Sequence, residues 1–380
     1  MVSALVLMAV RFAQVPTYGE HIAPLFTRSC MPCHAPGGAG PFQLDTYQAV
    51  SRRLELIRTV TLSRQMPPHR ATSEFGNVTP VPTLSDEELV LIQEWLKSGA
   101  KQGASEPQVD AKTGSVEVVR GRHEIKAPLV AEEGQPYWVT FRLNVDPTHL
   151  KVGGIKVTPK VPTVIRRVDV AMSRVTSSVE PVRSNGDFAF SEKPFLSWSA
   201  GYGQVLAPGH FELPKDGQIV VQVLYTPIGR KVSGDFVLEF LEGSGSRLSP
   251  VVIHEREFVV PSMKVAQLSR SITLDRDQVF GGVLTFGRKF AAEIKIEADI
   301  PNQETKSLLY IQHFNYLWVG SYVLPKPVHL PKGTTIRVTS TYDNTEHCTA
   351  NVGRNIRPVR LGPGYDDEIY KFSLLMGEAE

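Results

Sequence analysis

Cys30-Met31-Pro32-Cys33-His34 decides how the N-terminal part of this chain folds and what it is built around. C-x-x-C-H places two thiols on one short turn, where both can bond the vinyl groups of a single porphyrin, and sets the next imidazole beneath the iron. The spacing predicts one covalent c-type haem, with Cys30 and Cys33 as anchors and His34 as proximal ligand. Two cysteines and a histidine also suit zinc, and His69 is available as a fourth donor. A structural zinc site usually has a second ligand pair at similar spacing, whereas the only other cysteine, Cys348, lies far along the chain in a different kind of sequence. Zinc stays open on the motif alone.

Outward from the motif, residues 17–103 read as one small helical domain. Tyr18 to Ser29 places Ile22, Leu25 and Phe26 on one helical face. Ala35 to Pro41 is a Gly/Pro-rich loop suited to a haem edge, and Leu44 to Leu62 returns to helical spacing. Gln65-Met66-Pro67-Pro68-His69 then breaks it. Consecutive prolines fix an extended backbone and keep the preceding residue out of a helix. Met66 is therefore presented from a stiff loop, as a thioether for the second axial position, with His69 as its competitor. Ser85 and Glu88 form a capping-box pattern that opens a closing helix through Ile92 and Trp95, and Gly99 stops it. Trp95 is expected to face the porphyrin.

These residues carry a resemblance. Ile22-Ala23-Pro24-Leu25-Phe26, the C-x-x-C-H, Gly40 to Tyr47, Met66-Pro67-Pro68, and Leu84-Ser85 to Trp95-Leu96-Lys97-Ser98-Gly99-Ala100 are similar, in order, to the cytochrome c module of certain bacterial proteins. In that family the module is fused to a domain resembling copper type II, ascorbate-dependent monooxygenases of the peptidylglycine hydroxylating class. The resemblance implies covalent haem on Cys30 and Cys33, and iron ligation by His34 and Met66.

After a polar linker, residues 104–115, the pattern changes to short alternating strands broken by turn residues. Tyr137 to Leu143, Gln218 to Tyr225, Phe236 to Leu241, Ala292 to Ala298 and Thr335 to Tyr342 are examples. Many such strands predict two β-sandwiches or jelly rolls, residues 116–247 and 248–380. The expected fold class is thus α + β multidomain: a small all-α cytochrome c domain followed by two all-β sandwich subdomains. The resemblance continues through Trp198, Leu213 to Gly217, Val223 to Gly229, Phe314-Asn315-Tyr316, Leu330 to Thr334, Tyr342 to Thr345 and Asp367-Glu368, which are scaffold landmarks.

The family's copper ligands do not carry over. Where it has a His-His pair and a later His, this chain has Arg166, Arg167 and Leu224; where it has His-x-His and Met, it has Gly282, Leu284 and Ile369. Arginine does not deprotonate to bind a metal, and aliphatic side chains have no donor atom. Copper is therefore not expected. His313, His329 and His347 with Cys348 would make a metal site only by converging, and adjacent residues such as His347 and Cys348 point to opposite faces of a strand. Cys348 reads as a free thiol. Arg166-Arg167 reads either as one exposed and one packed strand arginine or as a docking patch for an acidic partner.

Forty-one Lys and Arg against 39 Asp and Glu leave a net charge of +2, with no basic cluster to recommend nucleic acid as a partner. Three cysteines offer no disulfide framework. Val2 to Val10 is apolar but too short to span a bilayer, and residues 1–16 read as a leader, which points to a periplasmic or secreted bacterial protein. The expected function is one-electron transfer by a monohaem c-type cytochrome, whose copper-free β module docks redox partners or assembles into a larger electron-transfer complex. Two alternatives remain: a copper- and ascorbate-dependent monooxygenase with an electron-donating haem domain, and a structural or carbohydrate-contacting sandwich with a vestigial haem module.

Overall fold

The computed structural model describes residues 15–68, 71–78, 83–104, 119–144, 151–173, 181–184, 193–213, 218–362 and 366–379. Most of the expected leader, most of the expected 104–115 linker, and His69 lie outside the described residues. The chain forms two compact units, Met1–Pro67 with Pro82–Gly114 and Pro68–Val81 with Ser115–Glu380. Residues 68–81, expected inside the helical domain, thus belong to the β unit, and both expected sandwiches fall within that one unit.

The helical unit contains α1 (Ala23–Ser29), α2 (Met31–His34), α3 (Tyr47–Ser51), α4 (Leu54–Leu62) and α5 (Asp86–Lys97). The helix expected from Tyr18 to Ser29 begins as a wider π turn, Tyr18–Ile22, in which Ala23 N–H bonds to Tyr18 O. Pro24, near the start of α1, has no N–H with which to continue an α ladder back to Glu20. α5 starts as its sequence demands: Ser85 Oγ accepts from Glu88 N–H at 3.2 Å, and Glu88 Oε2 accepts from Ser85 N–H at 2.9 Å. Gly99, at φ +92°, ends it. Tyr18, Ile22, Phe26, Ile92 and Trp95 share the core of this unit. Trp95 is fully buried in it, 6.0 Å from the Tyr18 ring, and its indole N–H is taken up by Lys101 O at 3.0 Å.

In the β unit, the strands among the described residues are β1 (Ala71–Thr72), β2 (Val119–Ile125), β3 (Tyr137–Leu143), β4 (Lys151–Pro159), β5 (Ile165–Ser173), β6 (Val182–Ser184), β7 (Lys193–Ser199), β8 (Gln204–Glu212), β9 (Gln218–Tyr225) and β10 (Phe236–Glu242). They continue as β11 (Leu248–Glu255), β12 (Val259–Val260), β13 (Val265–Thr273), β14 (Gln278–Phe286), β15 (Ala291–Asp299), β16 (Lys306–Ile311), β17 (Ser321–Leu330), β18 (Thr335–Asp343), β19 (Val359–Arg360) and β20 (Tyr370–Glu378).

Sheets β2-β10-β4-β8 and β6-β3-β9-β5-β7 make one sandwich. Phe141 of β3 meets Phe236 of β10 edge-on at 6.0 Å, and Phe195 of β7 lies 4.8 Å from Phe211 of β8. β9 is buried along its whole length, which is why its apolar run is nearly unbroken. Sheets β11-β20-β14-β17 and β1-β16-β15-β18-β13 make the second sandwich, around a core that includes Phe280, Ile296, Val338 and Phe372. β1 is its outlying member: Ala71 pairs with Ile311 and Thr72 with Tyr310 at the edge of β16. No helix among the described residues is long and apolar enough to cross a membrane.

Candidate functional site

Cys30 closes α1, and its carbonyl accepts from Cys33 N–H at 3.2 Å and His34 N–H at 2.9 Å, so both thiols and the imidazole come from one turn. Cys33 and His34 are buried and Cys30 is half-buried; none of the three cysteines is in a disulfide. The glycine-rich loop folds back over this turn through Gly40 N–H to Cys33 O at 2.8 Å and Leu44 N–H to His34 O at 2.8 Å. Gly40 has to be glycine, because a Cβ there would come within 2.6 Å of His34 Nδ1.

His34 Nδ1 lies 2.8 Å from Phe42 O. A carbonyl only accepts, so Nδ1 carries the proton and Nε2 keeps its lone pair. Burial lowers the His34 pKa, as does the charge of Arg53, while the Phe42 bond opposes them. Burial also pushes Cys30 up to about 12, with Cys33 adding to the shift, so its sulfur is a thiol. The Phe42 ring sits 4.8 Å from the imidazole and 4.5 Å from the Arg53 guanidinium. Ala35, Gly38, Pro41, Phe42, Arg52 and Arg53 line a cavity of about 410 Å³ beside the turn.

Met66 is half-buried in the same unit, on the loop that follows α4. Its N–H and that of Gln65 both bond Val60 O, at 3.1 and 2.9 Å, which ties the loop to the last turn of the helix. The Met66–Pro67 peptide is cis.

In the β unit the candidate metal ligands go separate ways. His313 is exposed, His329 on β17 faces Asp277 at 3.7 Å, and His347 projects into solvent beside Glu346. Cys348 is buried, its Sγ 3.7 Å from Lys289 O, with its pKa raised by burial. His347 and Cys348 diverge as expected, although they sit in a turn after β18 and not in a strand. Among the described residues no three His, Cys, Asp or Glu side chains are grouped to hold a metal ion. Of the positions that match the resembling family's copper ligands, Leu224 and Leu284 are core residues, and Gly282, at φ +149°, packs where a Cβ would strike Tyr322 O.

Arg166 stacks 5.1 Å from the Trp318 ring. Arg167 is 2% exposed, which removes it from any docking patch. Its Nε donates to Asp169 Oδ1 at 2.7 Å and its Nη2 to Thr285 O at 3.3 Å, and the guanidinium lies 4.8 Å from the Phe286 ring. Ser197 Oγ also donates to Asp169 Oδ1. Burial raises the Asp169 pKa and Arg167 opposes it. Further polar pins join the sandwiches: Ser197 N–H to Ser321 Oγ at 2.8 Å, and Ser373 Oγ to Pro194 O at 2.6 Å. Sequence reasoning missed this network. The signal was there, since Arg167 and Asp169 are two apart in a strand and share a face.

No protein-family model and no curated sequence matches the chain. Among solved structures it is similar to PNGase F, a glycosylasparaginase from Flavobacterium meningosepticum, at 12% identity and a TM-score of 0.31, over 68% of this chain and 96% of that one. A second structure, of a peptide-N(4)-(N-acetyl-β-D-glucosaminyl) asparagine amidase, gives 13% identity and a TM-score of 0.32 over 68% and 97%. The STIV MCP gives 9% and 0.20 over 62% and 95%. Likeness at this level carries no argument about what this chain does.

Proposed function

We propose that the helical unit is a c-type cytochrome module that holds one haem and passes single electrons, and that the β unit serves as its docking or assembly module outside the cytoplasm. The observation that carries this reading is the His34 tautomer: within a C-x-x-C-H turn, the bond to Phe42 O leaves Nε2 as a free donor atom. Bound there, the haem would cycle its iron between the ferrous and ferric states.

The residues divide the work. Cys30 and Cys33 would hold the porphyrin as thioethers, each S–H adding across a vinyl C=C with sulfur on one carbon and hydrogen on the other, a linkage that needs no oxidant. Phe42 O fixes the plane and tautomer of His34, and Gly40 lets the loop approach the ring closely. Met66, its backbone tied to Val60 O, would supply a thioether donor to the iron.

The test is retention. Protein made with haem-attachment machinery and then denatured in acidic organic solvent is expected to keep its haem with the polypeptide, and the reduced form to give low-spin c-type bands. A colourless protein, or haem that partitions into the solvent, overturns the proposal.

A further inference from the structure

α3 ends at Ser51 and α4 begins at Leu54, so Arg52 and Arg53 occupy the corner between two helices. Neighbours inside a helix diverge by roughly 100°, but at this corner both residues border the cavity of about 410 Å³ beside the motif turn. Arg53 stands on the Phe42 ring, 4.5 Å from its centroid, and its Nη1 donates to Ala49 O at 3.0 Å, which holds the guanidinium in place. Arg52 is exposed. The other described arginines of the helical unit each face a carboxylate: Arg28 meets Glu88 at 2.7 Å, Arg58 meets Glu55 at 3.6 Å and Arg64 meets Asp86 at 2.8 Å. Arg52 and Arg53 form no ion pair among the described residues, and no acidic side chain is among the described residues that line the cavity. Two adjacent cations are thus left without a counter-charge at the mouth of a cavity.

We propose that this corner is a binding site for a small oxyanion of the phosphate class, held by the Arg52 and Arg53 guanidinium groups in the cavity that Gly37, Gly38, Gly40 and Gln43 also border. A guanidinium fork offers paired N–H donors that match the oxygens of such an anion. The glycines put bare backbone on the wall, where side chains would obstruct an approach. The volume is that of a small-molecule site, so a phosphate ester is accommodated as well as the free ion. The Phe42 ring lies 4.5 Å from the Arg53 guanidinium and 4.8 Å from the His34 imidazole, so the charge at the corner is one aromatic ring away from the imidazole. A consequence rests on the reading of His34 as iron ligand: an anion bound here would favour the ferric state and lower the midpoint potential.

Calorimetric titration of the holoprotein with inorganic phosphate, at constant ionic strength, reads the site. One saturable equivalent is expected. Arg52→Gln and Arg53→Gln are each expected to weaken it about tenfold, which is about 1.4 kcal/mol, and Arg64→Gln, which removes the same charge from a paired arginine, to leave it unchanged. Binding that is absent, or that Arg64→Gln weakens as much as Arg52→Gln does, overturns the site. So does binding to the haem-free chain that vanishes on haem attachment, because the guanidinium groups then serve the porphyrin's own carboxylates. Phosphate is also expected to lower the midpoint potential of the parent and not that of Arg53→Gln, and an equal shift in both overturns the coupling to the iron. Failure of the haem reading is distinguishable, since a colourless protein shows it directly and the same titration of that protein still supports or overturns the arginine site.

Discussion

In the turn after α1 one imidazole is fixed from behind: His34 has its Nδ1 committed to Phe42 O while Nε2 keeps its lone pair. Between the two sandwiches the arrangement is the reverse. Arg167, Asp169 and Ser197 are buried and bonded to one another, so that charge is consumed in holding strands together. Glu368 does the same elsewhere in the β unit: its carboxylate collects the backbone N–H groups of Arg288, Phe290, Ala291 and Ile369. The contrast teaches that a ligand is recognised by the one atom its surroundings leave unused, and that residue type alone misleads. The β unit has histidines and a cysteine, but no such atom is brought together with others among the described residues.

The largest effect should come from the turn itself. Replacing both Cys30 and Cys33 by Ser is expected to abolish covalent retention completely, read as haem extracted from denatured protein; retention in the double variant would break the comparison at its first term. Next comes Arg167→Ala. It leaves Asp169 buried without its cation, so urea unfolding of the holoprotein should show a loss of about 3–5 kcal/mol in the β unit. A near-neutral result would mean that Arg167 is not an internal pin. Gly40→Ala is smaller, a loss of about 1–3 kcal/mol from overpacking against the imidazole. It sharpens the comparison because it should also shift the haem spectrum, as no change at Arg167 would.

The smallest effect concerns a half-buried carboxylate near the surface. Glu255 is held down at about 2, first by the Glu257 N–H, then by Arg270 and the Arg256 N–H. A pKa depressed in the folded state means that its stabilisation is fully present above the ordinary value of 4.5 and is lost as pH falls through about 2. Glu255→Gln should lower stability slightly at neutral pH, where the carboxylate's contribution is complete, and flatten the fall between about 4.5 and 2, so that variant and parent converge at the acid end; identical profiles would show that the carboxylate does not contribute.

Much of this was legible in the sequence where the cause is local. The motif turn, the Ser85–Glu88 capping box and strands such as Tyr137–Leu143 and Gln218–Tyr225 follow from spacing, capping and alternation among neighbours. The π turn before Pro24 was also local, yet was read as ordinary helix because Ile22, Leu25 and Phe26 keep the same buried face in either form. What stayed hidden depends on distant partners. Phe42 shows nothing in its side chain of what its carbonyl does for His34. Arg167 is drawn inward by Asp169 and by Thr285, more than a hundred residues away. Ala71-Thr72 becomes a strand because β16 offers it an edge.

That edge has a consequence for modularity. An uncovered sheet edge presents unpaired N–H and C=O groups and invites pairing with other chains. A β unit severed at the polar linker would lose β1 from beside Tyr310 and Ile311, together with the side chain of Val78 from its core. It would keep its fold pattern but gain an adhesive margin and a hole. The autonomous β unit therefore includes residues that precede α5 in the chain, and recombination or truncation at the linker would cut through a fold, although the sequence there looks like a place to cut.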